Sequence, residues 1–308
     1  WFFGSHGLRV VDLIFSLCLV KEAIVLDFFK RIFGQKSVPE PDNVKTAPLT
    51  EDLGMDVAKK PVVIRPAQLA VGCSQSVGRQ RDHNEDTIFS LSSILADGTS
   101  ELPIGIFVVA DGMGGHQHGE LASGAAARAF ADYIIRRIIT PFVTGDTGSQ
   151  TESLLEVMEN GVKEAQTAVV RKAPGGGTTL TAALVLGEQV TMAHIGDSRA
   201  YFISPDGRIQ PITQDHSLVR RLVELGQITE DEAKVHPNRN VLYRALGQSE
   251  PFKPDIHTHP LPQPGYMLLC SDGLWGVLPD LEIFRIVQNA KSLSLACHEL
   301  VEAANAAG

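Results

Sequence analysis

The sequence has 308 residues, of which 44% are hydrophobic and 20% charged, the usage of a globular protein with a substantial core. A formal net charge of −9 and the lack of a Lys/Arg run argue against a nucleic-acid-binding protein. The cysteines Cys18, Cys73, Cys270 and Cys297 lack CxxC spacing, which favours a reducing compartment and predicts a cytoplasmic protein.

Residues 1–33 form an apolar and amphipathic leader whose role the sequence leaves open. Residues 9–20 are apolar, but Asp12 interrupts them and the stretch is shorter than a membrane span needs, so no transmembrane helix is predicted. The helix-like stretch 26–33 fits a membrane surface or a neighbouring domain, or a short helix with neither role. Because the first residue is Trp1, we expect a fragment or a processed chain. Residues 34–66 read as a linker, and one folded domain is expected over 67–308.

Short apolar runs with β-branched residues predict several strands within that domain. The connections Gly187-Glu188 and Gly196-Asp197 are too short for a helical crossover, so hairpins and antiparallel sheet are expected. The predicted strands are Ile104–Ala110, Thr178–Leu186, Gln189–Ile195, Arg199–Ile203 and Tyr266–Cys270.

Helical periodicity brackets these strands. Asp215 is a candidate N-cap for one helix, and Thr229 with Glu232 has the spacing of a capping box for another. The predicted helices cover about 118–138, 151–172, 216–225, 280–289 and 292–306.

Three aspartates follow predicted strands and precede glycine or serine: Asp111, Asp197 and Asp272. Carboxylates delivered to the mouth of a sheet suit Mg²⁺ or Mn²⁺, and the carbonyl of Gly112 adds another oxygen. Each residue taken alone also fits an Asp-capped turn, and Asp197 is the weakest of the three candidates. His116 and His118 do not make a convincing zinc site, because no cysteine lies near them.

A fourth acidic cluster, Glu85 and Asp86, follows Arg81. Adjacent side chains point in opposite directions on a strand, so Asp86 is the better direct ligand. Arg81 suits a phosphate, and it equally suits an ion pair with these acids. The glycines of Gly175–Gly177 precede a strand instead of a helix, so they form a close-approach turn and not a Walker motif.

These segments, in this order, resemble the metal-dependent serine/threonine phosphatases of the type 2C family, in their bacterial form. The matching stretches are RDHNED, VVADGMGGH, GGTTLTAALV, HIGDSRAYF, ITQDHSLVRRLVELGQIT, HPNRNVLYRALG and LLCSDGLWGVL, which span about residues 70 to 307. The resemblance implies an α+β, four-layer sandwich in which two antiparallel β-sheets pack face to face with helices on both outer faces.

The resemblance also implies site residues and a mechanism. Two Mn²⁺ or Mg²⁺ ions, and a possible third, would activate a water that hydrolyses phosphoserine or phosphothreonine in proteins. Partners would be phosphorylated substrates of bacterial Ser/Thr kinases, and a monomer is expected. Asp111 would bridge two ions, Gly112 would offer its carbonyl, Asp272 would bind one ion, Asp86 with Glu85 would serve the other through waters, Asp197 would share a third with Asp272, and Arg81 would bind phosphate.

Two departures from the family pattern bear on activity. Met113 stands where many eukaryotic relatives carry a proposed acid histidine, and a thioether donates no proton. The family normally continues with a strand that opens in Asp-Asn, whereas this sequence ends at Gly308, so we expect a truncated chain whose activity is impaired. The alternatives are a catalytically impaired phosphoprotein-binding scaffold and, less attractively, a phosphodiesterase or nucleotide hydrolase.

Overall fold

The computed structural model describes residues 10–18, 67–79, 82–96, 101–114, 117–145, 152–248 and 253–308. These residues form two five-stranded antiparallel sheets and a short two-stranded sheet, with helices outside them. None of the helices in the described ranges is long and apolar enough to cross a membrane.

The first sheet, sheet A, carries the segment that ends at Asp272. Its strand order is β10-β9-β12-β1-β2, and every neighbouring pair is antiparallel. Its strands are β1 (Val10–Cys18), β2 (Gln68–Ser76), β9 (Arg199–Ile203), β10 (Ile209–Pro211) and β12 (Tyr266–Cys270).

The second sheet, sheet B, carries the segments next to Asp86, Asp111 and Asp197. Its order is β11-β8-β7-β4-β3, again antiparallel throughout, and β5 (Gly112–Met113) pairs with β6 (Gly177–Thr178) beside it. The strands of sheet B are β3 (Thr87–Ala96), β4 (Glu101–Ala110), β7 (Leu180–Leu186), β8 (Gln189–Ile195) and β11 (Asp255–Pro260).

Helices cover the outer faces of both sheets. Ser153 and Glu156 form a capping box at one helix, and the predicted box of Thr229 and Glu232 is confirmed at another. The helices are α1 (Gln117–Ile134), continued by a π-helical turn (Ile135–Ile139), α2 (Thr140–Thr144), α3 (Leu154–Lys172), α4 (Leu218–Glu224), α5 (Glu230–Val235), α6 (Asp272–Trp275), α7 (Asp280–Asn289) and α8 (Leu293–Ala307).

Three hydrophobic clusters define four layers. One joins sheet B to α1 and α3, a second joins sheet A to α6, α7 and α8, and a third lies between the two sheets. In β4, Ile106 and Val108 face the helices while Phe107 and Val109 face sheet A, so both faces of this strand are buried. This burial explains the continuous apolar run in the sequence, and the predicted α+β sandwich is confirmed.

Two local predictions were wrong. The connection at Gly196-Asp197 is not a hairpin, because β8 lies in sheet B and β9 in sheet A, so the chain crosses between the sheets there. Asp215 does not cap a helix: Ser217 is the N-cap of α4, and its side chain accepts a hydrogen bond from the Arg220 amide. The carboxylate of Asp215 binds Arg199 instead, and this charged pair outcompetes a capping interaction.

Strand β1 was not anticipated by the sequence analysis, which assigned its residues to the leader. It pairs with β12 on one side, where Ile14 lies opposite Leu268, and with β2 on the other, where Ile14 lies opposite Gly72. Within the described sheet, β1 is therefore the only link between β2 and the strand that precedes Asp272.

A proline in β1 tests this arrangement. Ile14→Pro removes a backbone N–H from a strand paired on both sides, and we expect a loss of at least about 2 kcal/mol in the free energy of unfolding. Ile14→Val keeps the N–H and is the matched control, with a loss of about 1 kcal/mol or less. Urea unfolding followed by circular dichroism measures both free energies of unfolding. Equal stabilities for the two variants would contradict the placement of β1 in the sheet.

Candidate metal centre and active site

Two of the predicted ligands leave the same end of sheet B. Thr87 and Ala110 are opposite each other in the β3–β4 pair, Asp86 directly precedes Thr87, and Asp111 directly follows Ala110. The two aspartates are therefore neighbours at one edge of the sheet. Asp86 is buried and Asp111 half-buried, which is the partial shielding that a cation site needs.

The backbone of Asp111 is fixed by two threonines. Its N–H donates to the Thr179 hydroxyl at 2.9 Å, and its carbonyl accepts from the Thr179 amide and the Thr178 hydroxyl, each at 2.9 Å. A Cβ on the next residue, Gly112, would lie 2.2 Å from the Gly119 carbonyl oxygen, so only glycine fits there. Asp111 thus stands on a backbone that cannot shift easily.

Glu85 and Asp86 diverge, as their adjacency requires. The Glu85 carboxylate lies against Gly119 in the first turn of α1, where a Cβ added to Gly119 would be 2.8 Å from Glu85 Cδ. Its Oε1 atom is 3.6 Å from His83 Nε2. Asp86 Oδ2 instead accepts a hydrogen bond from the Ser271 hydroxyl at 3.2 Å. Asp86 therefore faces the strand end of sheet A.

Asp272 and Asp197 are brought together at that end of the sandwich. Asp272 is the first residue of α6 and follows Ser271, whose hydroxyl contacts Asp86. Asp197 lies in the crossover between the sheets and is 8% exposed. Burial raises its pKa well above the ordinary value, and the negative charges of Asp272 and Asp215 raise it further.

The donor set fits a hard divalent cation. Carboxylates from both sheets, with the Gly112 carbonyl beside them, are oxygen ligands of the kind that Mg²⁺ and Mn²⁺ prefer. The charge repulsion that raises the pKa of Asp197 is also what a bound cation relieves. Within the described ranges, no three His, Cys, Asp or Glu side chains lie close enough together to hold a metal ion between them.

Some predicted residues lie outside the described part of the chain. Arg81 and His116 are among them, so the phosphate-binding role of Arg81 stays a prediction. His118 is exposed in the first turn of α1. The turn at Gly175–Gly177 is a close-approach turn as predicted: a Cβ on Gly176 would lie 2.6 Å from the His118 carbonyl oxygen.

Comparison with known proteins identifies the family. The pattern that defines "Protein phosphatase 2C" matches residues 71–308. A Listeria innocua protein named "Serine/threonine phosphatase stp" is 34% identical over 237 residues, covering 75% of this chain and 88% of the relative. The chain belongs to the protein phosphatase 2C family.

Solved structures of the protein phosphatase 2C family show the same fold. The Mycobacterium tuberculosis serine/threonine phosphatase PstP/Ppp is similar with a TM-score of 0.60 and 32% identity, covering 75% of this chain and 89% of that one. A structure of the PstP catalytic domain in complex with two manganese ions has a TM-score of 0.58 and 32% identity, with the same coverage. Phosphatases of the 2C family use Mn²⁺ or Mg²⁺, in agreement with the predicted cofactors.

A cluster around Arg199 supports the centre and was missed by the sequence analysis. Its guanidinium binds both Asp215 oxygens at 2.9 and 2.7 Å and lies 3.5 Å from the ring centroid of Trp275. Trp275 in turn donates to the Asp197 carbonyl at 3.0 Å. The only sequence signal was that Arg199 follows the candidate ligand Asp197 by two residues. This spacing did not reveal that its partner is Asp215, sixteen residues further on.

Two buried histidines lie behind Asp197. The rings of His194 and His216 are 5.0 Å apart. Burial, and next the proximity of His216, lowers the pKa of His194 to about 4. Burial also lowers the pKa of His216, against the hydrogen bond and charge of Asp255, which raise it. Both imidazoles are therefore neutral at neutral pH.

The low pKa of His194 predicts acid sensitivity. Since the ordinary pKa is 6.5 and the folded value about 4, the unfolded chain binds more protons between these limits, and stability falls as pH drops from 6.5 towards 4. Between pH 7 and 5 this residue should cost about 2 kcal/mol of unfolding free energy.

Urea unfolding in EDTA at the two pH values measures this effect. His194→Gln removes the titrating group and should lose about 2 kcal/mol less than the wild type over that interval, whatever its absolute stability. An identical loss of unfolding free energy in the wild type and His194→Gln would contradict the lowered pKa of His194.

Proposed function

We propose that the chain hydrolyses phosphoserine and phosphothreonine in proteins with Mn²⁺ or Mg²⁺. The observation that carries this proposal is that Asp86 and Asp111 of sheet B and Asp197 and Asp272 at the end of sheet A share one end of the sandwich. The names of the relatives, serine/threonine phosphatases in both comparisons, support the substrate class.

We assign the roles of the acids from the family resemblance, and their positions support this assignment. Two divalent cations, when bound, supply an acidified water and neutralise charge on the phosphoryl oxygens. Asp111, on its fixed backbone, would serve both ions, and Gly112 would offer its carbonyl. Asp272 would serve one ion, and Asp86 would serve the other with Glu85 acting through waters. Asp197 with Asp272 would hold a third.

Two further residues bear on how the phosphate is oriented and how the leaving group is protonated. Arg81 orients the phosphoryl group through a charge-assisted fork. Met113 pairs with Gly177 in the short sheet beside Asp111, and its thioether offers no proton to a leaving group. Protonation of the leaving alkoxide therefore does not depend on the side chain at position 113.

The biological setting is proposed on sequence grounds. Substrates would be phosphoproteins made by Ser/Thr kinases, and the protein would act as a monomer in the cytoplasm. The described cysteines Cys73, Cys270 and Cys297 are thiols, which suits a reducing compartment. The catalytic domain would span 67–308, after the leader 1–33 and the linker 34–66, with β1 contributed by the leader.

A phosphoprotein-binding scaffold is the second candidate. It is favoured by the lack of three clustered metal-binding side chains among the described residues. Calorimetry with a phosphopeptide separates the two functions, because a scaffold binds the peptide in EDTA and the enzyme requires the metal to turn it over.

Asp111→Asn tests the enzymatic proposal. Loss of the bridging carboxylate should lower Mn²⁺-dependent hydrolysis of para-nitrophenyl phosphate by at least ~100-fold, measured by nitrophenolate absorbance. Asp206→Asn makes the same charge change at an exposed residue that pairs with Arg208, and it should leave the rate unchanged. Wild-type protein that binds Mn²⁺ without any turnover would support the scaffold instead.

Arg81→Ala tests phosphate recognition. The loss of charge-assisted hydrogen bonds should raise KM for a phosphothreonine peptide by ~10-fold or more, while the Mn²⁺ affinity changes little. Arg81→Lys keeps the positive charge but loses the two-pronged guanidinium, so its KM should lie between those of the wild type and Arg81→Ala. An unchanged KM with a weakened Mn²⁺ affinity would assign Arg81 to an ion pair with the acidic residues.

A further inference from the structure

His216 joins the crossover that carries Asp197 to the segment before α4. Its backbone N–H donates to the Gly196 carbonyl at 2.7 Å, and the Gly196 N–H donates to His216 Nδ1 at 3.1 Å. One residue thus bonds both backbone polar groups of Gly196, the residue that precedes Asp197. The imidazole is 2% exposed, so water does not compete for these bonds.

The contacts fix the tautomer of His216. Because a backbone N–H can only donate, Nδ1 must be the unprotonated acceptor, and the proton of the neutral ring lies on Nε2. Nε2 then donates to Asp255 Oδ2 at 3.1 Å, and Arg244 holds the other oxygen of Asp255 at 3.2 Å. Asp255 and Arg244 therefore orient the ring towards Gly196.

The backbone of Gly196 has little freedom to move. Its φ is +110°, a conformation that favours glycine, and a Cβ there would lie 2.5 Å from Thr179 Cγ2. Thr179 also fixes the Asp111 backbone and contacts the Ser198 hydroxyl at 2.8 Å. The crossover is thus clamped between Thr179 on one side and His216 on the other.

We propose that His216 is a positioning residue that sets the place of the Asp197 carboxylate opposite Asp272. Asp215, the residue before it, binds Arg199, which stacks on Trp275, so two consecutive side chains tie the same segment to both flanks of Asp197. Of the two ties, only His216 bonds Gly196, the residue directly before Asp197. The inference rests on the proposed metal centre, because it concerns how one of its carboxylates is held.

Two substitutions separate the two edges of the imidazole. The amide oxygen of Asn occupies the position of Nδ1, so His216→Asn keeps an acceptor for Gly196 and loses the bond to Asp255. The longer Gln places its amide near Nε2, so His216→Gln keeps a partner for Asp255 and loses the bond to Gly196.

Mn²⁺ binding is followed by the quenching of Trp275 fluorescence, since this indole contacts Asp197 directly. The binding step that disappears in Asp197→Asn is the one of interest. His216→Gln should weaken that step on the order of tenfold and leave the other steps unchanged, whereas His216→Asn should weaken it by less than about threefold. His236→Gln is a matched control, because His236 Nδ1 accepts a backbone N–H from Asn238 at the same 3.1 Å in the turn after α5, and it should change nothing.

Hydrogen exchange of the Gly196 amide, measured by NMR in EDTA, gives a readout that needs no metal. It should be slow in the wild type and His216→Asn and faster in His216→Gln. Equal exchange rates in the two variants would contradict the hydrogen bond from the Gly196 N–H to His216 Nδ1. Faster exchange in His216→Gln with unaltered Mn²⁺ binding would contradict the positioning role. If Asp197→Asn removes no binding step, the third-ion part of the proposed function fails, and the inference falls with it even where exchange behaves as expected.

Discussion

Burying several carboxylates at one place is costly, and most of the local structure around the end of the sandwich offsets that cost. Asp86, Asp197 and Asp272 approach one another because the two sheets meet there. The protein supplies hydroxyl donors, such as Ser271 to Asp86, and a cation, Arg199, close to Asp197. These groups compensate the negative charge only in part. The remaining repulsion is a physical reason for the site to take up divalent cations.

The sheets themselves could be predicted because each core strand has two buried faces. β8, β9 and β12 have the bounds that the sequence predicts, and Asp197 and Asp272 stand two residues beyond the ends of β8 and β12. Such patterns are local, and the strand ends follow from them. The clustering of the acids is not local, and its expectation came from family resemblance together with the type of residue at each strand end.

The misses have one cause in common, which is that partners distant in sequence decided the local structure. Asp215 had the right neighbours for an N-cap, but Arg199 binds both of its oxygens. Gly196 had the right context for a hairpin, yet the following strand pairs in the other sheet. His216 was assigned to the start of the predicted helix 216–225, because neither of its partners, Gly196 and Asp255, is near it in the sequence. Propensity describes only the alternatives that lie nearby in the chain.

Strand β1 extends the same argument to the whole of sheet A. A central strand contributes hydrogen bonds on both edges, so its sequence need not be strongly patterned for the sheet to accept it. Its residues run antiparallel to β12, with Asp12 opposite Cys270, two residues before Asp272. The segment that carries Asp272 is therefore braced on one side by β9, which leads back to Asp197, and on the other by β1. Since β12 pairs directly with β9, that pairing holds the segments before Asp272 and after Asp197 side by side, and β1 holds the other edge of β12.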